Sequence, residues 1–209
     1  MKIFRLLLVT AYLCALHACT SESQKQVETR PKSIIKNKLP EPFRFHKALE
    51  VKPGLTFDVV SWGRGAEMTG AFLILRSDST HFKYRSTTDE LEGKIIDAWN
   101  MDMDSDGYPE IFIQAQGEEK KEYLKMYVYE FNNDGSAQKL RFPELASSKK
   151  NYFGKDSIYI IESKLRREFP LFEEADTSAL NPTGKKVIEY SLRGNSFSVH
   201  EIEAEKSGK

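Results

Sequence analysis

The chain has 209 residues, and its 31 Lys and Arg balance its 31 Asp and Glu, for a formal net charge of zero. Without a basic excess it is a poor match for a nucleic-acid backbone, or for an anionic bilayer held by charge alone. Its two cysteines, Cys14 and Cys19, lie close together near the N-terminus, so the body of the chain can build neither a disulfide nor a thiolate metal site.

The first segment reads as a targeting signal, to be set aside before any fold is considered. Lys2 and Arg5 make a basic start, and Leu6–Leu16 an apolar stretch too short to cross a bilayer as a stable helix. It runs into Leu16-His17-Ala18-Cys19, which resembles the lipobox of bacterial lipoproteins. That resemblance implies a signal peptide over 1–18, lipidation of Cys19 by palmitate-type chains, and membrane contact through this lipid only. The alternative is an ordinary secretory signal cleaved nearby. Thr20 rather than Asp follows the cysteine, which by analogy with enterobacterial sorting points to the outer membrane; the expected location is the cell envelope, outer membrane or periplasm-facing. Residues 19–46 are polar, of mixed charge, and carry Pro31, Pro40 and Pro42, the composition of a flexible tether. Residues 204–209 read as a disordered tail.

Between them, 47–203 reads as one β domain. Leu55 to Val59 alternates, Ala71 to Leu75 is a continuous apolar run suited to a buried strand, and His81 to Arg85 follows the Ser77-Asp78-Ser79 turn. Gly93 opens a strand over 95–99, and another leaves the Asp106-Gly107 turn over 111–115. Tyr123 to Phe131 puts Leu124, Met126 and Val128 on one face and Tyr123, Tyr127, Tyr129 and Phe131 on the other. Further strands are predicted over 158–161, 165–169, 187–192 and 197–202. A helical period is visible only as a turn or two near 145–152. The fold class predicted is all-β, an antiparallel sandwich or barrel-like single domain with little helix and without a repeat of fixed period.

Between two of these strands lies Asp102-Met-Asp104-Ser-Asp106-Gly107-Tyr-Pro-Glu110, with carboxylates at loop positions 1, 3, 5 and 9 and glycine at 6. Odd spacing aims the carboxylates at one point once the chain curls, and glycine takes the positive φ of the sharp turn. Hard oxygen ligands at this density suit Ca²⁺. The spacing resembles the calcium loops of integrin-type repeats and departs from the EF-hand, because Ile113 stands where a bidentate Glu is required. The alternative is a cation-free turn in which the Asp side chains cap backbone amides.

Catalysis is not expected. His46, His81 and His200 are scattered, and no phosphate loop, catalytic Cys or triad pattern is visible.

Read together, the Asp-Gly-x-Pro-Glu turn, the aromatic strand ending near Asn133, Tyr152-Phe153-Gly154, Leu165-Arg166-Arg167-Glu168-Phe169-Pro170, Asp176 and Pro182-Thr183-Gly184 resemble, in order and spacing, the periplasmic inhibitors of invertebrate-type lysozymes. The resemblance covers roughly 93–199. It implies a secreted all-β protein that plugs the acidic cleft of a lysozyme with a protruding loop. The corresponding stretch here is Gly117-Glu-Glu-Lys120-Lys121-Glu-Tyr123, in which long charged side chains replace the family's Ser and Gly. Lys120, Lys121 and Tyr123 are the candidate inhibitory contacts, joined by Arg166 and Arg167, whose planar forks suit carboxylates. The expected partner is a protein, such as a lysozyme or a second copy of this chain. The alternative is a non-inhibitory binding or structural module on the same scaffold.

Overall fold

The computed structural model describes residues 38–117, 123–145, 151–173 and 181–202; the signal segment, Cys19, most of the tether and the 204–209 tail lie outside them. The described residues form twelve strands and no helix. The helical turn expected near 145–152 falls mostly outside the described residues, and Tyr152 within it makes one antiparallel bridge with Leu171.

Alternation builds the first sheet. In β2 (Leu55–Trp62) every second residue is buried, from Leu55 through Phe57 and Val59 to Ser61. β1 (Phe43–Lys52), β3 (Thr69–Asp78) and β4 (Lys83–Glu92) join it in an antiparallel meander, order β1-β2-β3-β4. β1 begins at Phe43, so residues 43–46, which composition assigns to the tether, belong to the sheet. Pairing of Phe43 with Trp62 and His46 with Val60 accounts for the earlier start. β3 is not buried on both faces as its apolar run suggests. Phe72 and Ile74 point inward, whereas Leu75 is 37% exposed on the outer face.

The second sheet repeats the meander with β5 (Lys94–Met101), β6 (Glu110–Gln116), β7 (Leu124–Phe131) and β8 (Ala137–Leu140). The third runs β12-β11-β10-β9, from β9 (Ser157–Ile161), β10 (Lys164–Phe172), β11 (Pro182–Arg193) and β12 (Ser196–Ile202). The sandwich therefore has three layers, with the β5–β8 sheet in the middle. On one side Ile111, Ile113, Tyr127, Tyr129 and Phe131 pack with Phe57, Val59, Phe72 and Ile74 of the first sheet. On the other, Phe112 and Val128 pack with Leu165, Phe169, Ile188 and Tyr190 of the third. Six of the seven β6 residues are buried, the signature of a strand covered on both faces. A register shift between Ile95 and Asp97 lets Ile95 and Ala98, three apart, share the first core while Ile96 stays exposed.

Candidate functional site

The turn between β5 and β6 is where the fold concentrates negative charge. β5 ends at Met101 and β6 begins at Glu110, so both ends of the loop are fixed by the middle sheet. Ser105 and Gly107 take positive φ, 60° and 86°, and curl the chain between them. One ligand atom from each of Asp102, Asp104, Asp106 and Glu110 falls within 4.8 Å of all the others. The four residues singled out by their spacing thus converge in the fold.

Capping accounts for part of this geometry. Asp102 accepts from the Asp106 and Gly107 amides, both at 3.1 Å, and Asp106 accepts from the Tyr108 amide at 2.8 Å. Glu110 Oε2 accepts from the Met103 amide at 2.8 Å. Capping does not account for the remaining oxygens. Asp104 Oδ1 and Glu110 Oε1 are buried and have no hydrogen-bond partner. Glu110 is fully buried, and burial, followed by the charges of Asp104, Asp102 and Glu130, pushes its pKa up to about 7 even though the Met103 amide opposes the shift.

Glu130 is the residue that sequence reasoning missed. It pairs with Glu110 in the β6–β7 register, is 5% exposed, and leaves Oε2 buried without a partner. Burial first, then Asp106 and Asp104, raise its pKa. The signal was present in the alternation: Glu130 stands in the inward phase of Met126 and Val128, where an unpaired acid is out of place.

The other predicted contacts are spread over the molecule. Lys120 and Lys121 lie outside the described residues. Tyr123 is half-buried, its ring 5.4 Å from that of Tyr152, and its carbonyl accepts from the Gly117 amide at 3.0 Å across the β6–β7 connection. Arg166 and Arg167 project to opposite faces of β10. Arg166 bonds Glu189 on β11 at 3.1 Å. Arg167 is 4% exposed, donates from Nε to Asp156 at 2.6 Å and from Nη2 to the Tyr152 hydroxyl at 2.9 Å, and lies over the Tyr152 and Phe169 rings. Burial alone would disfavour its cation, but Asp156 more than offsets this and raises its pKa. Tyr152 also donates to Asp156 at 2.5 Å. Tyr123, Met126, Phe142, Tyr152 and Arg167 line a cleft of about 560 Å³ beside this network. The aromatic face of β7 is not a surface: Tyr127, Tyr129 and Phe131 are at most 6% exposed beneath the first sheet.

No protein-family model matches the chain, and no curated protein is significantly similar to it.

Proposed function

We propose that this protein is a non-catalytic, lipid-anchored module of the bacterial envelope whose β domain binds Ca²⁺ at the 102–110 turn and presents its scaffold to a protein partner. The observation that carries the calcium reading is the pair of buried oxygens without a donor, Asp104 Oδ1 and Glu110 Oε1, at the point where four carboxylates converge. Converging carboxylates repel one another, Glu110 from a buried position and Asp102 and Asp106 from exposed ones, and a cation with oxygen coordination at 2.3–2.6 Å would relieve this.

The test is calorimetric titration of the chelated protein with CaCl₂ and, separately, MgCl₂, together with melting curves in each. Saturable Ca²⁺ binding that raises the melting temperature is expected, with weaker binding of Mg²⁺, which demands tighter octahedral geometry. An unchanged melting temperature in excess Ca²⁺ removes the reading.

A second reading, inhibition of an invertebrate-type lysozyme, is supported by the family resemblance and by the Gly117–Tyr123 hydrogen bond, which brings the two ends of the candidate loop together as an inhibitory hairpin needs. Residues 20–209 would then block lysis by invertebrate-type lysozyme and spare the chicken and goose types, and Tyr123→Ala would raise the inhibition constant. Equal lysis with and without the protein for all three enzymes rejects it.

A further inference from the structure

At one end of the first sheet the inner face changes from apolar to charged. β3 buries Phe72 and Ile74 toward the middle sheet, and its next two inward positions are Arg76 and Asp78. The last register row across the four strands is Lys52, Leu55, Asp78 and Lys83. Directly paired residues share a face, so the row sets Lys83 beside the carboxylate and Lys52 one strand further away, beyond Leu55. Lys52, Arg76, Asp78, His81 and Lys83 line a cavity of about 270 Å³. Gly107, Pro109 and Phe131 of the middle sheet close its other side.

The charges in this cavity do not cancel. Arg76 is 4% exposed and donates from Nη2 to Asp78 at 3.1 Å, while its Nη1 is buried without a partner. Asp78 is also engaged by the His81 amide and His81 Nδ1, both at 3.0 Å to Oδ1. Three permanent cations and one carboxylate line the cavity, Arg76 alone of the three pairs with that carboxylate, and neither Lys52 nor Lys83 forms an ion pair among the described residues. A buried guanidinium with an unmet donor is expensive, and an arrangement that keeps one beside two free lysines suits an incoming acceptor of negative charge.

We propose that this cavity is an oxyanion-binding site that takes a carboxylate or phosphate group. Lys52 and Lys83 hold the anion from the two outer strands and Arg76 from the inner wall, while Asp78 orients the guanidinium and His81. The site is independent of the calcium reading. It uses none of the four loop carboxylates, although Gly107 and Pro109 give the two sites a common wall.

The test is calorimetric titration of the whole protein with inorganic phosphate and, in a separate arm, with D-glucuronate. Chloride fixes the ionic strength, and each arm is run both with chelator and with Ca²⁺. Saturable binding of at least one anion is expected, and the arm that responds tells a phosphate source from a carboxylate one. K52Q/K83Q, which changes exposed residues only, is expected to weaken that binding about tenfold with its melting temperature in chloride unchanged. R76K, which keeps the charge and loses the fork, is expected to weaken it further. Heats no larger than those of chloride in both arms, or equal affinity in wild type and K52Q/K83Q, would overturn the proposal.

Discussion

Glu110 concentrates the argument at the scale of single residues. Its carboxyl is fully buried, and that burial pushes its pKa up to about 7 from an ordinary value of 4.5. An acid whose folded pKa is raised binds more protons folded than unfolded, so stability is retained below about 4.5 and lost as pH climbs through 7. With chelator present, about 2 to 3 kcal/mol should disappear between pH 5 and 8 in urea titrations. Glu130 acts in the same direction, and the carboxylates with lowered pKa, such as Asp78 and Asp89, titrate below this window. On the calcium proposal, Ca²⁺ would reverse the sign, because it needs the deprotonated site. Glu110→Gln should therefore flatten the pH dependence in chelator and abolish calcium stabilisation together; a variant that still gains stability from Ca²⁺ would remove Glu110 from the site. Arg167 and Asp156 follow a second rule. Both side chains are at least 95% buried in a 2.6 Å ion pair, so removing one strands a charge in the core. Arg167→Met should cost about 3 to 5 kcal/mol by chemical denaturation, and the double change R167M/D156L much less. A double-variant loss equal to the sum of the R167M and D156L losses would mean the pair is not coupled.

Among the elements, β6 is the one whose two faces carry different cores. Ile111 and Ile113 serve the first–middle interface, while Phe112, stacked on Trp99 at 5.5 Å with an interplanar angle of 4°, serves the middle–third interface. Phe112→Ala should destabilise by about 3 to 5 kcal/mol, because neither flanking sheet can collapse into the cavity without moving the other. Phe82→Ala, at a position 82% exposed, should fall within about 0.5 kcal/mol of wild type. Comparable losses at both positions would contradict a doubly covered β6. Most of these elements were legible from alternation, as in β2 and in the tyrosines of β7, since a half-buried strand writes its period directly into the residues. β1 was missed because Arg44, His46, Lys47 and Glu50 mask its inward residues, and β8 because four residues are too few to show a period. The acidic turn was legible because its spacing is local. Glu130, Asp156 and Arg76 were not, because each gains its meaning from a partner on another strand or from burial by another sheet.

The layering governs the behaviour of the whole molecule. Three consecutive meanders would be three small units if each kept its own core, but the middle sheet lends one face to each neighbour and has no core of its own. The first and third sheets cannot keep their buried faces once it opens, so unfolding should be a single cooperative transition. The acidic turn sits on this shared sheet, at the connection of β5 to β6, and on the calcium proposal a cation bound there would stabilise the middle layer on which both others depend. Saturation at a hundred times the dissociation constant contributes about 2.7 kcal/mol, which in a domain of this size corresponds to roughly 5 to 10 °C in melting temperature. The rise should appear equally in near-ultraviolet circular dichroism, which reports the aromatic cores on both sides of the sheet, and in the far-ultraviolet signal of the strands. A melt that splits into two steps in chelator, with Ca²⁺ shifting only one of them, would show that one outer sheet folds without the middle one and that the shared layer does not couple the three.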